Sequence, residues 1–333
     1  MESPRARRSR RARPSRTRTL LHTALAVVAF VGGTAAGTVY VKARAHSGAS
    51  PVSSSATASA STSGPAGGED AVEPVAEPAV DHDALLAAAV KSVPVEDGAE
   101  VSVAVLDLDS GQSASYGDGS FDTASIVKVD ILAALLLQAQ DAGRHLTADE
   151  KSYATTMIEN SDNTAASELW RTIGRAEGLD AANERLGLTD TEGGDGMLWG
   201  LTQTTAADQL RLLQQVFGDD SKLSEASRTY LQGLMGRIEA DQQWGVSAAA
   251  DGSAWALKNG WLPRSTTGLW DINSIGRVTV GGSDHLVAVL SKGNSTQAKG
   301  IALVESVARA AVSAPSRGAS SSASAAPSAS VPE

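Results

Sequence analysis

Apolar positions recur along this chain with two different periods, and each change of period marks a change of element. From Asp81 to Val93 they follow helical spacing, which predicts an amphipathic helix. Glu100–Leu108, E-V-S-V-A-V-L-D-L, alternates instead and predicts a strand. A second strand is predicted over Gln112–Tyr116, joined to the first through the turn Asp109-Ser110-Gly111. Helical spacing then holds over 123–141, 147–159, 161–173, 179–186, 203–217 and 223–238. Strands return at Ala254–Gly260, Asn273–Gly281 and Leu286–Lys292, with Gly281-Gly282-Ser283-Asp284 as the turn between the last two. Thr296–Val312 closes as a helix. Strands at both ends with helices between them predict a mixed α/β (α+β) fold. One mostly antiparallel sheet would be flanked by terminal helices and interrupted by an inserted helical lobe. A ligand is expected in the cleft between sheet and lobe.

Outside this region the pattern fails in two different ways. Residues 1–19 carry eight arginines and one acid, and residues 20–41 follow with no formal charge. That run is long enough to cross a bilayer as a helix, and the arginines before it predict a cytoplasmic N-terminus. The expectation is a signal-anchor in the cell membrane with everything after it extracytoplasmic. Cleavage as a signal peptide near Ala43-Arg44-Ala45, giving a secreted protein, is the alternative. Residues 42–81 and 313–333 are rich in Ser, Ala, Thr, Pro and Gly and are expected to be a disordered tether and tail. The catalytic domain is therefore expected at 82–312.

Charge sharpens this division. The net charge is −10, yet residues 1–45 hold ten basic residues against one acid, so the rest is more acidic than the total. A domain of that sign is a poor partner for nucleic acid, and none is expected. The chain has no cysteine, which excludes disulfides and thiol-linked lipid. Its five histidines show no ligand spacing, so no metal and no other cofactor is expected.

Three short motifs carry candidate chemistry. In D-T-A-S-I-V-K-V-D, Ser125 and Lys128 stand three residues apart at the head of an oily helix and so share one face. A lysine against a buried helix loses proton affinity through desolvation and becomes a base able to activate a serine. The plain alternative is a capping serine and a snorkelling lysine. Ser161-Asp162-Asn163 opens a later helix, where all three are ordinary capping residues. Lys258-Asn259-Gly260 falls on a late strand and says nothing alone.

Their order says more than any one of them. S-x-x-K on a helix, then S-D-N-T-A-A, then K-N-G before a strand-turn-strand-helix ending resembles the class A serine β-lactamases and the related penicillin-binding D-Ala-D-Ala peptidases, over roughly 82–312. The resemblance implies that Ser125 is acylated and that Lys128 takes or relays its proton. It implies that Ser161, helped by Lys258, protonates the departing nitrogen, and that Asn163 holds the amide of the acyl side chain. Backbone N–H groups of Ser125 and Trp261, beside Gly260, would form the oxyanion hole, and Lys258 would attract a substrate carboxylate. Asp162 would brace the helix start. The implied partner is a small-molecule β-lactam or a peptidoglycan stem peptide.

Three departures qualify that expectation. Asn259 stands where the family usually has a carboxylate-binding hydroxyl. The short interval between Ser125 and Ser161 omits one wall of the cleft. The segment L-T-D-T-E-G-G-D-G-M-L-W-G-L-T-Q-T-T lacks the family's deacylating glutamate at its usual spacing, leaving Glu192 and Asp195 as the acids near the right place. The expected function is an extracytoplasmic serine hydrolase of the β-lactamase type. The alternatives are a D-Ala-D-Ala peptidase and a non-hydrolysing penicillin- or peptidoglycan-binding module.

Overall fold

The computed structural model describes residues 80–252 and 254–323. The basic arm, the apolar span and the tether expected within 1–79 lie outside the described residues, as does the end of the tail. Among the described residues no helix is long and apolar enough to cross a membrane.

The chain enters through α1 (His82–Lys91), capped by the Asp81 carboxylate, and then forms β1 (Glu100–Asp107) and β2 (Ser113–Tyr116). A short strand β3 (Phe121–Asp122) leads into a 3-10 turn, Ala124–Ile126, and directly into α2 (Val127–Asp141). Helices α3 (Ala148–Glu159), α4 (Asn163–Ile173), α5 (Arg175–Leu186), α6 (Ala206–Phe217) and α7 (Glu225–Met235) complete the lobe, with β4 (Gln203–Thr204) ahead of α6. The chain returns through β5 (Trp255–Pro263), β6 (Trp270–Val280) and β7 (Ser283–Asn294) and ends on α8 (Gln297–Ala323).

Five strands form one antiparallel sheet in the order β2-β1-β7-β6-β5, which leaves β5 on an edge. The β6–β7 hairpin closes over Gly281 and Gly282, both at positive φ, the backbone that a two-residue turn matched to strand twist requires. His285 to Ser291 of the central β7 are all buried, so both faces of the sheet are covered. Helices α8 and α6 both pack against β1, β6 and β7, and α1 packs on α8 and β2.

Boundaries differ from the sequence reading where capping residues were counted as helix. Asp162, Thr205 and Ser224 are N-caps whose side chains accept backbone N–H bonds, so α4, α6 and α7 start one residue after them. Helix α5 starts at Arg175, because Gly174 at φ 98° both ends α4 and opens α5. Helix α8 continues to Ala323, past the Val312 end that the Ser/Ala-rich composition suggested. The two-residue β3–β4 ladder was too short for periodicity to show, and it ties the approach to Ser125 to the end of the 187–205 segment.

Helix α2 is the axis of the lobe and is buried on nearly every side. One of its buried residues is Asp130, whose carboxyl is pushed up to about 7, chiefly by burial. Gln209 of α6 faces it, with Nε2 3.4 Å from Asp130 Oδ2. Asp130 Oδ1 and Gln209 Oε1 are both buried without a partner, and a protonated carboxyl supplies the hydrogen that joins two such acceptors. Since the unfolded carboxyl titrates near 3.8, the stability it contributes is present in acid and is lost as pH rises towards 7. Asp130→Asn is therefore expected to raise the melting temperature at pH 8 and to lose most of that advantage at pH 5. Equal effects at both pH values would contradict a protonated Asp130.

Candidate active site

Ser125 occupies the 3-10 turn at the head of α2, half-exposed between buried neighbours. The residue before it, Ala124, has φ 48°, a left-handed backbone that costs an alanine energy and persists only where its surroundings fix it. Lys128 lies one helical turn on, with no exposed surface. Its Nζ is 3.0 Å from Ser125 Oγ, 3.0 Å from Ser161 Oγ, 2.6 Å from the Ser161 carbonyl and 2.8 Å from Asn163 Oδ1. Ser161 reaches this position through another left-handed backbone, φ 55°, just before α4. Asp162 points away from the cluster and caps α4, accepting from Ala165 N at 2.7 Å.

The electrostatics are unusual because, among the described residues, no carboxylate bonds to this lysine. Burial lowers Lys128 to about 7, opposed in part by the Asp162 charge. An ammonium carries three hydrogens and no acceptor, whereas a neutral amine can accept the Ser125 hydroxyl proton. The Trp199 ring lies over the amine, 5.0 Å from Nζ to the ring centre, and walls that side of the cluster. Lys258 on β5 is also fully buried. Its Nζ donates to the carbonyl of Asn259 at 3.1 Å, and burial, then the charge of Lys128, push it well below the ordinary lysine value.

Gly260 packs against the turn that carries Ser125. A methyl at this position would lie 2.7 Å from Thr123 O, 2.8 Å from Ser125 N and 2.9 Å from Ile126 N. Only glycine lets β5 approach so closely. Trp261 follows on this edge strand, its ring set edge-on against Trp244 with centres 6.0 Å apart.

Two residues singled out in the sequence make other contacts in the structure. Asn259 has no free amide donor for a ligand: Nδ2 donates to Gln242 O at 2.7 Å and Trp244 O at 2.9 Å, and the side chain is fully buried with Oδ1 unpartnered. Both donors are engaged in holding the 240–249 segment on the sheet, so Asn259 is a brace. Glu192 makes no hydrogen bond to Ser125 or Lys128. It is exposed, its backbone pairs with Gln203, and it borders a groove shared with Ser115, Asp118 and Thr189 rather than with Ser125 or Lys128. Asp195 is also exposed, in a turn where its carbonyl accepts from Leu198 N. That segment is held by Trp170 Nε1 donating to Gly196 O and Trp199 Nε1 donating to Ser167 Oγ, which directs Trp199 to the lysine. Sequence reasoning missed Trp199 because a tryptophan in a glycine-rich loop has no periodicity to place it. Among the described residues, no group of three or more His, Asp or Glu is placed to hold a metal.

The sequence pattern of the Beta-lactamase enzyme family matches residues 85–153 and 149–314, most of the chain. This chain belongs to that family. Its fold agrees with solved structures. PBP-A aligns with a TM-score of 0.60 at 23% identity, covering 70% of this chain and 96% of PBP-A. TLA-1 extended-spectrum β-lactamase aligns at 0.61 and 15% identity, covering 70% and 98%. A class A β-lactamase from Bacteroides cellulosilyticus aligns at 0.61 and 16%, covering 72% and 100%. In sequence, LppW of Mycobacterium tuberculosis, named a lipoprotein, is 28% identical over 178 residues, 50% of this chain and 55% of LppW. The chain thus spans about half the length of the curated relatives it matches.

The close approach of β5 to the Ser125 turn gives a direct test. Gly260→Ala is expected to push the strand off Ser125 and lower the rate of labelling by a fluorescent penicillin by on the order of 100-fold. A wild-type rate would contradict the contact.

Proposed function

We propose that this chain is an active-site-serine enzyme acylated on Ser125 by β-lactams or by the carboxylate-bearing stem peptides they resemble, with slow release of the acyl group. The observation that carries this reading is one buried amine, Lys128 Nζ, within 3.0 Å of both Ser125 Oγ and Ser161 Oγ.

The chemistry follows from that position. Neutral Lys128 takes the Ser125 hydroxyl proton as Oγ attacks the carbonyl carbon. The carbonyl π electrons move onto oxygen, and the negative charge lies against the N–H groups of Ser125 and Trp261. Losing one such donor costs about 3 kcal/mol of barrier. The tetrahedral carbon then expels its nitrogen, which takes the Ser161 hydroxyl proton while Ser161 recovers one from Lys128. What remains is an ester on Ser125 and a free amine. Asn163, beside the amine at the mouth of the cluster, is placed for the amide of the acyl side chain.

Two buried lysines without an acid partner among the described residues favour a ligand that brings negative charge. An arriving carboxylate offsets the desolvation that depresses Lys258 and draws a proton back onto it. Asn259 takes no part in that step.

Hydrolysis of the ester requires a water and a base. No carboxylate contacts Ser125 or Lys128 among the described residues, and Trp199 covers the amine. This favours a penicillin-reactive peptidase or binding protein over a fast β-lactamase. A mutant of PBP-A has been captured as an acyl-enzyme complex with penicillin G, an outcome of the kind proposed here. We place the domain outside the membrane on the charge and hydropathy pattern of residues 1–45 alone. Without cysteine, a thiol-linked lipid of the kind a lipoprotein carries has no attachment point, so the apolar span would serve as the anchor.

The full-length chain mixed with fluorescent penicillin is expected to take one stable label per molecule, and Ser125→Ala none. The acylation rate is expected to rise with pH through about 7, because Lys128 acts as a base only after losing its proton. Rapid steady hydrolysis of a chromogenic cephalosporin would contradict slow release, and absence of label would contradict acylation.

A further inference from the structure

The strained backbone before Ser125 needs something to hold it, and a buried side chain of the sheet supplies two hydrogen bonds to it. Asn273 lies on β6 opposite Gly260. It is fully buried, and its Nδ2 donates to the carbonyls of Asp122 at 2.8 Å and Thr123 at 3.0 Å. These are the peptide units immediately ahead of Ala124. Its Oδ1 accepts from Ser291 N of β7 at 3.1 Å, which fixes the amide orientation.

The support continues inward. Ser291 Oγ donates to the Ile272 carbonyl at 2.7 Å, and Asn294 Nδ2 donates to Ser291 Oγ and to the Trp270 carbonyl, each at 3.0 Å. A buried polar chain thus runs from the end of β7 through β6 to the backbone that aims the nucleophile. On its other side the same segment is held by Thr123 N donating to Thr202 O at 2.9 Å and by Gln203 and Arg264 bonding the Asp122 carboxylate.

We infer that Asn273 is a positioning residue for acylation: its two donated bonds hold Ala124 in the left-handed conformation that sets Ser125 Oγ between Lys128 and the β5 edge. Asn273 touches no reacting atom. Its loss lets residues 122–124 relax towards ordinary backbone and turns Oγ from its line to the amine. Displacements of about 1 Å in such a geometry lower rates by up to about 100-fold. This inference rests on the acyl-enzyme reading above.

The test separates position from folding. In the full-length chain, Asn273→Leu removes both donors at similar volume, and Asn273→Ser keeps one shortened donor. With fluorescent penicillin, the acylation rate at saturation is expected to fall at least tenfold for Leu and less for Ser. The final label should stay at one per chain, and the concentration for half-saturation should be unchanged. Ala124→Gly removes the cost of positive φ and is expected to restore most of the rate in the Asn273→Leu background. A wild-type rate in Asn273→Leu would overturn the inference. So would a loss confined to the labelled fraction, or no restoration by Ala124→Gly. A wild-type chain that takes no label overturns the acyl-enzyme reading itself and the inference with it.

Discussion

The site depends on one constraint: a lysine amine held out of water with hydroxyl, carbonyl and amide oxygens around it and, among the described residues, no carboxylate. Desolvation favours the uncharged form, and every bond Lys128 makes here is to a neutral group. A carboxylate in the same place would stabilise the ammonium and abolish the base. The absence of an acid in contact is therefore part of how the amine is activated. On the acyl-enzyme reading it also leaves the ester without a carboxylate to activate water.

Holding an amine in that state calls for a rigid surround. The apolar core around α2 supplies the low dielectric, and the left-handed turns at Ala124 and Ser161 bring two hydroxyls to it from different elements. Glycine at position 260 lets the sheet edge close against the Ser125 turn, and the buried Asn273–Ser291–Asn294 chain ties that turn back into β6 and β7. Lys258 adds a second depressed lysine from the sheet side. Burying two lysines works against stability, and their partly satisfied surroundings have no structural advantage over apolar side chains. Their presence in the core points to chemistry rather than to packing.

Much of this was legible in the sequence. The alternation of Glu100–Leu108, the glycine turn at 281–282 and the oily helix after Lys128 placed the sheet, its last hairpin and the lobe axis. Ser125 and Lys128 could be paired from spacing alone, and the order of the three motifs gave the resemblance. What stayed hidden depends on contacts between distant segments. Asn259 reads as a ligand-facing residue until the 242–245 backbone covers it. Glu192 has the right chemistry, but pairing with Gln203 carries it to another surface. Asn273 is an ordinary strand residue until the sheet brings it under Asp122 and Thr123, and Trp199 gains meaning only from the amine beneath it.

The most direct test is the charge of Lys128 itself. NMR titration of lysine labelled with 13C at Cε, with the Lys128 signal assigned by its absence in Lys128→Met, reports the proton on this amine without requiring a substrate. The account predicts a midpoint near 7. A signal that stays in the ammonium position until the pH approaches the ordinary lysine value of 10.5 would contradict it.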